Sequence, residues 1–408
     1  MKKIALFVSM MTMALWGNAQ SWTQQTSGVT TPLSDVFFIN DSVGWITTIG
    51  KVLKTTNAGS TWTAYGSSSG ISSTAQLTSV AFSTENIGWV AGAFGVIYKT
   101  IDGGLNWTAQ SSGTNHNLNS LSFVNDSTGW IVGSLGTAPN PITAVILKTT
   151  DGGLTWDSLS APANVDLNAV QFLDENLGWV AGGNLVLRTV DGGLNWTSSN
   201  TPTQLLYDVY FASPSKGWAV GQNGFMAVTA DSGTTWTSQN SNANNNALFA
   251  IQFISATEGW IVGGGAIGQG PAIRYTNNEG GFWSVSSSGV TVTSVLYGVY
   301  FVSSNKGWAV GSNGRIFTFN PSVSTVVSQE NFPVSIYPNP IKNIANIEFE
   351  SFGTYELKVL DISGKLIFSE ELTAQNHQIN TESLPTGIYQ ISITNEKGLM
   401  TCKTILKQ

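Results

Sequence analysis

Two aspartates, Asp35 and Asp208, are the residues whose types and positions come nearest to a catalytic pair. They occupy the same place in two copies of a short segment, Leu-x-Asp-Val-x-Phe, that recurs along the chain. Glycoside hydrolysis uses two carboxyl groups about 5 to 9.5 Å apart, one as general acid and the other as base or nucleophile. Whether these two carboxyl groups meet depends on how the chain arranges the copies.

The composition gives little support to other chemistries. The two histidines, His116 and His377, are far apart, and Cys402 is the single cysteine, so neither a metal-ligand cluster nor an intramolecular disulfide is expected. Charged residues make up 10% of the chain and the net charge is -7. The scarcity of Lys and Arg argues against a nucleic-acid partner, because phosphate binding needs clustered cations. We predict no metal and no cofactor.

A repeat of about 40 residues organises the chain as far as residue 320. Its first element, close to Leu-x-x-Val-x-Phe, occurs seven times, and a Trp follows each Phe at a distance of seven residues. These tryptophans form a first series: Trp45, Trp89, Trp130, Trp179, Trp218, Trp260 and Trp308. Short strands that alternate apolar and polar residues, rich in Gly and aromatics, are typical of a β-propeller. The sequence therefore predicts an all-β fold with seven blades.

An acidic turn closes six of the repeats, each time with a Trp five residues after an Asp or Asn. Its aspartates are Asp102, Asp151, Asp191 and Asp231, and glycines such as Gly103 and Gly104 follow them. A carboxylate in such a turn accepts hydrogen bonds from its own backbone, and glycine adopts the left-handed conformation at little cost. We interpret these aspartates as structural turn residues and the tryptophans as core.

The ends of the repeat region complement each other. Residues 21–28, SWTQQTSG, match the fourth-strand segment WTAQSSG at residues 107–113, whereas the seventh repeat stops near Asn320 without a closing Trp. The sequence predicts that residues 21–28 supply the outer strand of the last blade and close the ring, which leaves only short sheet edges. Trp22 then completes a second tryptophan series: Trp22, Trp62, Trp107, Trp156, Trp196, Trp236 and Trp283.

Loop lengths distinguish the two ends of the propeller. Loops between first and second strands and between third and fourth strands are constant, which defines a constant face. Second-to-third loops and links between blades differ in length and define a variable face, with insertions at residues 134–143 and 264–271. Because binding residues favour loops on a rigid scaffold, His116, Asn140 and Gln269 are candidate binding residues there, together with Asp35 and Asp208 near the channel mouth. Neutral drift in unselected loops would give the same pattern.

The remaining segments predict export and a second domain. Residues 1–19 have Lys2 and Lys3, an apolar run and a small-x-small site, as in a signal peptide. The propeller is assigned to residues 20–320, a linker to residues 321–333 and a second domain to residues 334–408. The second domain contains about seven short alternating runs, which favour a small immunoglobulin-like sandwich. No other apolar stretch is long enough to span a membrane.

Two family resemblances follow from these motifs. Thr149-x-Asp151-x-Gly153-x-Thr155-Trp156 resembles the Asp-box of sialidase-type repeats, and the whole unit resembles the photosystem II stability and assembly factor family of seven-bladed propellers. Asn57 and Asn278 depart from the Asp-box acid, which concerns turn strength alone. The C-terminal region closely resembles the type A sorting domain of the type IX secretion system through several residues: Pro338, Asn339, Pro340, Asp361, Gly364, Gly387, Tyr389, Lys403 and Lys407. That resemblance implies the type IX machinery as a partner and a secreted or cell-surface location.

Three functions stay open at this stage. A sialidase-like enzyme would need an arginine triad, but Arg188, Arg274 and Arg315 fall on separate third strands. Its acids would come from Glu85, Glu175 and Glu258, which fall on the constant face, where no cleft is expected. Asp35 and Asp208 lie on nearly opposite sides of the predicted ring, so we expect a gap wider than a glycosidase uses and a place in the channel wall. The favoured function is non-catalytic binding of a glycan or protein; the alternatives are a glycoside hydrolase and an assembly factor for a membrane complex.

Overall fold

The structure is a computed structural model that describes residues 20–136, 141–200, 204–265, 270–290, 294–321, 333–361, 366–395 and 400–408. The predicted signal segment, residues 1–19, lies outside the described residues. The chain divides into two compact units, Met1–Ser322 and Val323–Gln408. No helix within the described ranges is long and apolar enough to cross a membrane.

The first unit contains seven four-stranded antiparallel sheets, the blades, which begin after strand β1 (Gln20–Thr26). Blade one comprises β2 (Leu33–Phe38), β3 (Gly44–Thr48), β4 (Lys51–Thr55) and β5 (Thr63–Tyr65). Blade two comprises β6 (Leu77–Phe82), β7 (Gly88–Gly92), β8 (Val96–Thr100) and β9 (Thr108–Ser111). Blade three comprises β10 (Asn117–Phe123), β11 (Gly129–Leu135), β12 (Thr143–Thr149) and β13 (Asp157–Leu159).

The later blades repeat the plan. Blade four comprises β14 (Leu167–Phe172), β15 (Gly178–Gly182), β16 (Leu185–Thr189) and β17 (Thr197–Asn200). Blade five comprises β18 (Leu206–Phe211), β19 (Gly217–Gly221), β20 (Phe225–Thr229) and β21 (Thr237–Asn240). Blade six comprises β22 (Ala247–Phe253), β23 (Gly259–Gly264), β24 (Ala272–Thr276) and β25 (Ser284–Val285). Short 3-10 turns occupy Ser67–Ser69, Ala93–Gly95, Gln222–Gly224 and Ser312–Gly314.

Blade seven takes its outer strand from the beginning of the chain. Its strands β26 (Leu296–Ser303), β27 (Lys306–Gly311) and β28 (Arg315–Pro321) are followed by β1, which pairs antiparallel with β28 and sets Trp22 opposite Phe319. Each inner strand contacts the inner strand of the next blade, and β26 of blade seven contacts β2 of blade one. The strand pairing predicted for the N-terminal segment is therefore present, and it closes the ring.

Stacked aromatic rings hold neighbouring blades together. Each first-series Trp lies flat on the Phe that ends the inner strand of the following blade, with centroid separations from 3.4 Å (Trp308 on Phe38) to 3.8 Å (Trp218 on Phe253). Five of these Trp side chains also donate Nε1–H to carbonyls of the next acidic turn, as Trp45 does to Gly103 at 2.9 Å, whereas Trp218 and Trp260 do not. Large aromatic side chains bury much apolar surface in such contacts, so the stacks are a principal source of ring stability.

The second tryptophan series packs edge-on against the same phenylalanines. Trp107 meets Phe82 of its own blade at 6.0 Å with an interplanar angle of 84°. Trp22 meets Phe301 at 5.8 Å and 89°, which is the same arrangement in blade seven. Each of these phenylalanines thus has one stacked and one perpendicular tryptophan, as an interior position requires.

The second unit has fewer strands than the sequence predicts. Its strands are β29 (Val334–Tyr337), β30 (Ile344–Asp361), β31 (Leu366–Asn380), β32 (Gly387–Asn395) and β33 (Met400–Lys407). The expectation of about seven strands is wrong because β30 continues through a register shift between Glu348 and Gly353, and β31 stays paired with it on both sides of the shift. An irregularity of this kind bends a strand without ending it.

The long strand β30 pairs with three other strands of the second unit. Its first half pairs with β29 and its second half with β32, while β31 pairs with it along both halves. One hydrophobic core, which includes Ile347, Leu357 and Ile391, lies inside. The immunoglobulin-like sandwich stays a prediction.

Candidate functional site

Every inner strand of the propeller carries the same irregularity at its start. The register shifts by one residue after the first Leu in all seven blades, for example between Leu33 and Asp35 and between Leu206 and Asp208. In β2 the side chains of Leu33, Val36 and Phe38 are buried in the blade, whereas those of Ser34, Asp35 and Phe37 are half-buried. In blades one, three, five and six the bulge therefore leaves two adjacent residues half-buried at the wall of the central channel, whereas in blades two, four and seven the second of them is buried.

Asp35 connects blade one to blade two. Its Oδ1 accepts the amide N–H of Val36 at 2.8 Å, and its Oδ2 accepts the amide of Val80 at 2.9 Å and the hydroxyl of Ser79 at 3.0 Å. In blade seven the equivalent residue is Gly298, whose position packs against the Asp35 backbone. Because Gly298 has no side chain to accept the Val36 amide, Asp35 accepts that amide itself.

Asp208 makes the same connection between blades five and six. Its Oδ1 accepts the amide of Val209 at 2.8 Å and its Oδ2 accepts the amide of Ile251 at 2.8 Å. The preceding blade has Ala169 at this position, which again offers no acceptor. Where that position holds a serine, the serine accepts the amide of the next blade, as Ser120 does from Val170 at 3.2 Å.

Both carboxyl groups hold their protons to higher pH than usual. Burial in the channel wall raises the pKa of Asp35 to about 6, against the lowering effect of the Val80, Val36 and Ser79 hydrogen bonds. Burial also raises the pKa of Asp208 to about 7, and the charge of Asp35 adds a small further increase. Their separation relative to a glycosidase pair stays a prediction.

Three aromatic side chains form a continuous surface at the mouth of the channel on the variable face. They occupy the mouth position, which is the residue after the first Leu of each inner strand: Tyr207 in blade five, Phe249 in blade six and Tyr297 in blade seven. The Tyr207 and Phe249 rings lie 5.0 Å apart and the Phe249 and Tyr297 rings 5.4 Å apart. All three side chains are half-buried. We call them the aromatic arc.

Polar residues take the mouth position in the other four blades. Asn119 donates through Nδ2 to the Leu167 carbonyl at 2.8 Å, and Asn168 donates through Nδ2 to the Leu206 carbonyl at 2.7 Å. Thr78 and Ser34 complete this side, and Thr78 Oγ1 donates to the Leu118 carbonyl. Sequence reasoning missed the mouth position; its signal is that the first x of Leu-x-x-Val-x-Phe is aromatic in blades five to seven only.

The predicted loop residues are placed as follows. His116 lies in the link between blades two and three, where Nδ1 pairs with Thr114 Oγ1 and Nε2 lies 3.0 Å from Thr143 Oγ1. It thus tethers this link to β12 at the end of the long insertion. Asn140 and Gln269 lie outside the described residues.

Two open hollows lie on the constant face. One of about 660 Å³ lies between blades seven and one and includes Asn40, Asp41 and Tyr300. Another of about 790 Å³ includes Asn125, Asp126 and Glu175. Two loops of this face are joined by Asn125, whose Nδ2 donates to Glu175 Oε1 at 2.9 Å.

The other glutamates of the constant face are also engaged. Asn40 Nδ2 donates to Glu85 Oε1 at 2.7 Å, and the Tyr275 hydroxyl donates to Glu258 at 3.1 Å. Of the arginines, Arg274 is buried and donates to the Asn242 and Ile273 carbonyls, and Arg315 donates to Gln24. Arg188, Arg274 and Arg315 lie on the third strands of blades four, six and seven.

The acidic turns are built alike in the described blades. Thr149 Oγ1 donates to Asp151 Oδ1 at 2.8 Å, and the same oxygen accepts the Thr155 amide at 2.9 Å. These bonds, chiefly those from Thr155, lower the pKa of Asp151 to about 2, and similar bonds lower the pKa of Asp191 and Asp231 to about 2. The pKa of Asp102 is also lowered, by bonds from Asn106 and Thr100 that outweigh desolvation. Asn57 and Asn278 accept the equivalent amides through Oδ1.

The predicted sorting residues gather at one end of the second unit. Asn339 Oδ1 accepts the Leu406 amide at 2.9 Å and its Nδ2 donates to Thr404 at 3.1 Å, so the turn of Pro338 and Pro340 lies against β33. In the sheet, Gly387 lies opposite Lys407, and Asp361 lies opposite Tyr389. The Tyr389 hydroxyl donates to the Pro385 carbonyl. Lys403 pairs with Ile391 farther along β33, and Gly364 lies outside the described residues.

Among the described residues of the whole chain, no group of three His, Cys, Asp or Glu side chains could hold a metal ion.

Seven sheets, acidic turns and inter-blade tryptophan stacks define the first unit as a seven-bladed β-propeller of the Asp-box type. Residues 16–111, 107–205 and 198–268 match the family model of the photosynthesis system II assembly factor YCF48, and the chain belongs to this family. Residues 335–407 match the model of the secretion system C-terminal sorting domain. The protein is therefore handled by the type IX secretion machinery and exported to the cell surface or secreted.

Solved structures share the propeller fold. A structure of YCF48 bound to D1 peptide is 20% identical, with a TM-score of 0.61, and the match covers 75% of this chain and 96% of that chain. YCF48 from Cyanidioschyzon merolae is 20% identical, with a TM-score of 0.59 and coverage of 74% and 99%. The WD40 propeller domain of Doa1 is 14% identical, with a TM-score of 0.58 and coverage of 74% and 98%. At these identities the likeness concerns the fold alone. No curated protein matches the chain.

Proposed function

We propose that the exported propeller is a binding protein that holds a polar surface ligand, a glycan or a protein, at the mouth of its channel on the variable face. The observation that carries the proposal is the division of the mouth position into an aromatic side, formed by Tyr207, Phe249 and Tyr297, and a polar side that includes Asn119 and Asn168. An aromatic wall with a few placed hydrogen-bonding groups is the usual composition of a binding site. His116 and the insertion near Thr143 border this face.

The hydrogen bonds of the channel carboxyl groups favour binding over catalysis. Both oxygens of Asp35 and both oxygens of Asp208 accept backbone amides. A general base or nucleophile must instead direct an oxygen to the substrate or to a water. Asp35 and Asp208 thus act mainly as hydrogen-bond acceptors for the backbone of the inner strands.

Binding is tested with the full chain and intact cells of the producing bacterium. We expect saturable binding of the labelled protein to the cell surface, and loss of that binding when the three residues of the aromatic arc are replaced by Ala. Pretreating the cells with protease or with periodate then tells a protein ligand from a glycan. Binding that does not saturate, or that the triple variant retains in full, would contradict the proposal.

Export makes a separate prediction about processing. The signal segment and the sorting domain imply a mature species that begins near Gln20 and ends within residues 321–333, so it would lack Cys402. Intact mass spectrometry of the protein recovered outside the cell measures both ends. A mature chain that still contains Cys402 would count against removal of the sorting domain.

One observation favours a second function. The raised pKa values of Asp35 and Asp208, about 6 and about 7, fall in the range that suits a general acid near neutral pH. If the pair hydrolyses glycosides, Asp35→Asn or Asp208→Asn should abolish turnover while the variant stays folded. Retention of turnover in both variants would remove this alternative.

A further inference from the structure

The residues of the aromatic arc pack against no blade core in the described part of the propeller. The first-series tryptophans are fully buried, and the half-buried Phe37, Tyr210 and Tyr300 each pack against a blade core. Tyr207, Phe249 and Tyr297 instead sit on the bulges that open each inner strand, and their side chains are half-buried. Neither core packing nor strand pairing accounts for three aromatic residues at consecutive mouth positions.

The rings of the arc lie close together but do not share a plane. Their centroid separations are 5.0 Å and 5.4 Å, and the interplanar angles are 33° between Tyr207 and Phe249 and 64° between Phe249 and Tyr297. Successive sugar rings of a glycan chain would therefore meet aromatic surfaces of differing tilt. The face of an aromatic ring carries partial negative charge, which attracts the weakly positive C–H groups on the face of a sugar. Tyr207 and Tyr297 add hydroxyl groups that can donate to or accept from sugar hydroxyls.

The opposite side of the mouth supplies further polar groups without charge. Asn119 and Asn168 use Nδ2 to bond the Leu167 and Leu206 carbonyls, which fixes their side chains and leaves Oδ1 as an acceptor for a ligand hydroxyl. None of the seven mouth residues is charged. A uronic or sialic acid carboxylate would meet no cation there, and the net charge of -7 would repel an acidic polymer.

We propose that the aromatic arc is a stacking site for an uncharged polysaccharide, with the amides of Asn119 and Asn168 as its hydrogen-bonding side. This inference rests on the proposed binding function and narrows its ligand to a neutral glycan. The sugar rings lie on Tyr207, Phe249 and Tyr297, and the chain crosses the mouth from blade five towards blade seven.

Affinity electrophoresis of the full chain in gels that contain a neutral glucan, mannan or xylan measures this binding, with polygalacturonate as the acidic comparison. At least one neutral polysaccharide should retard the protein, and polygalacturonate should not. Tyr207→Ala and Tyr297→Ala should each weaken binding about tenfold or more, as loss of an aromatic anchor does. Phe282→Ala is the matched control, because Phe282 is an aromatic residue 63% exposed on an acidic turn of the constant face; it should bind like the parent.

The outcomes separate this inference from the function on which it rests. Retardation by polygalacturonate alone, or by a neutral polysaccharide but equally in the two tyrosine variants, overturns the stacking site. If no polysaccharide retards the protein while cells still bind it in a protease-sensitive and periodate-resistant manner, the ligand is a protein and only this inference fails. If cells do not bind it either, both fail. Unchanged circular dichroism and melting temperature of the two tyrosine variants confirm that they are folded.

Discussion

The contacts between blades and the wall of the channel come from the same seven repeats but differ in their uniformity. Between blades, every copy places a Trp flat on the next Phe, and the seven separations fall between 3.4 and 3.8 Å. At the mouth position the copies diverge into four polar and three aromatic residues. Packing thus dictates one residue type per position where a side chain is enclosed, whereas the channel wall tolerates variety and can be adapted to a ligand.

Of the changes proposed here, removal of strand β1, which closes the ring, should lower the stability of the propeller most. Deletion of residues 20–28 takes away the partner of β28 and leaves Phe319 and Phe301 without Trp22. We expect the free energy of unfolding to fall by several kcal/mol, which is a large part of a typical total of about 5 to 15 kcal/mol. Urea unfolding of the full chain and the deletion variant measures the difference. An unchanged unfolding midpoint would mean that this segment is only a tail.

A single substitution sharpens the same comparison. Trp22→Ala should cost about as much as Trp107→Ala, roughly 3 to 5 kcal/mol each, because both rings meet a core Phe edge-on and both are buried. Phe94→Ala is a control at an aromatic residue that is 71% exposed, and it should cost much less. A Trp22 variant as stable as the Phe94 variant would show that closure does not depend on this ring.

The carboxyl groups in the channel wall should make the stability of the protein depend on pH. The pKa values of Asp35 and Asp208 are raised in the folded protein, to about 6 and about 7, mainly by burial, whereas in the unfolded chain both lie near 3.8. The folded state therefore holds more protons between pH 4 and 7, so the stability that the carboxyls contribute is full below pH 4 and is lost as pH rises to 7. Each pKa unit corresponds to about 1.4 kcal/mol, so the two shifts set an upper limit of about 7 kcal/mol, and solvent around these half-buried groups lowers the actual loss.

Substitution of these carboxyls tests that assignment. Asp208→Asn should flatten the decline of stability between pH 4 and 7, and the double variant with Asp35→Asn should flatten it further. Each Asn should also lower stability at pH 4, since its Nδ2 faces an amide that the Asp oxygen accepts. Thermal melts across pH 4 to 8 measure the slope. A slope that is the same in the parent and the double variant would show that other groups control it.

The contacts between blades could be predicted from the sequence, whereas the roles of the residues in the channel wall could not, and the reason is physical. Trp22 could be assigned to the last blade because enclosed positions repeat strictly, so that one missing member is noticeable. The roles of Asp35 and Asp208 depend on Gly298 and Ala169 in a neighbouring blade, and that dependence is visible only when the strands are laid side by side. The contacts of His116 with Thr143 likewise join separate segments, and the continuity of β30 depends on its pairing with β31.

The smallest expected effect concerns the acidic turns, which are uniform in hydrogen bonding but not in backbone strain. The residue after the Asp or Asn has a positive φ in each turn: 71° at Gly192, but also 58° at Ala58 and 65° at Ser232. A left-handed conformation costs a non-glycine residue about 1 to 2 kcal/mol, and the greater freedom of Gly in the unfolded chain offsets about 0.5 to 1 of that. Ala58→Gly and Ser232→Gly should therefore stabilise the protein by about 0.5 kcal/mol each. Gly192→Ala should have the opposite sign, because its new Cβ would lie 2.7 Å from the Glu175 carbonyl oxygen. Urea unfolding resolves these differences if the variants share one slope. Destabilisation in Ala58→Gly and Ser232→Gly would mean that the turns hold these two residues without strain.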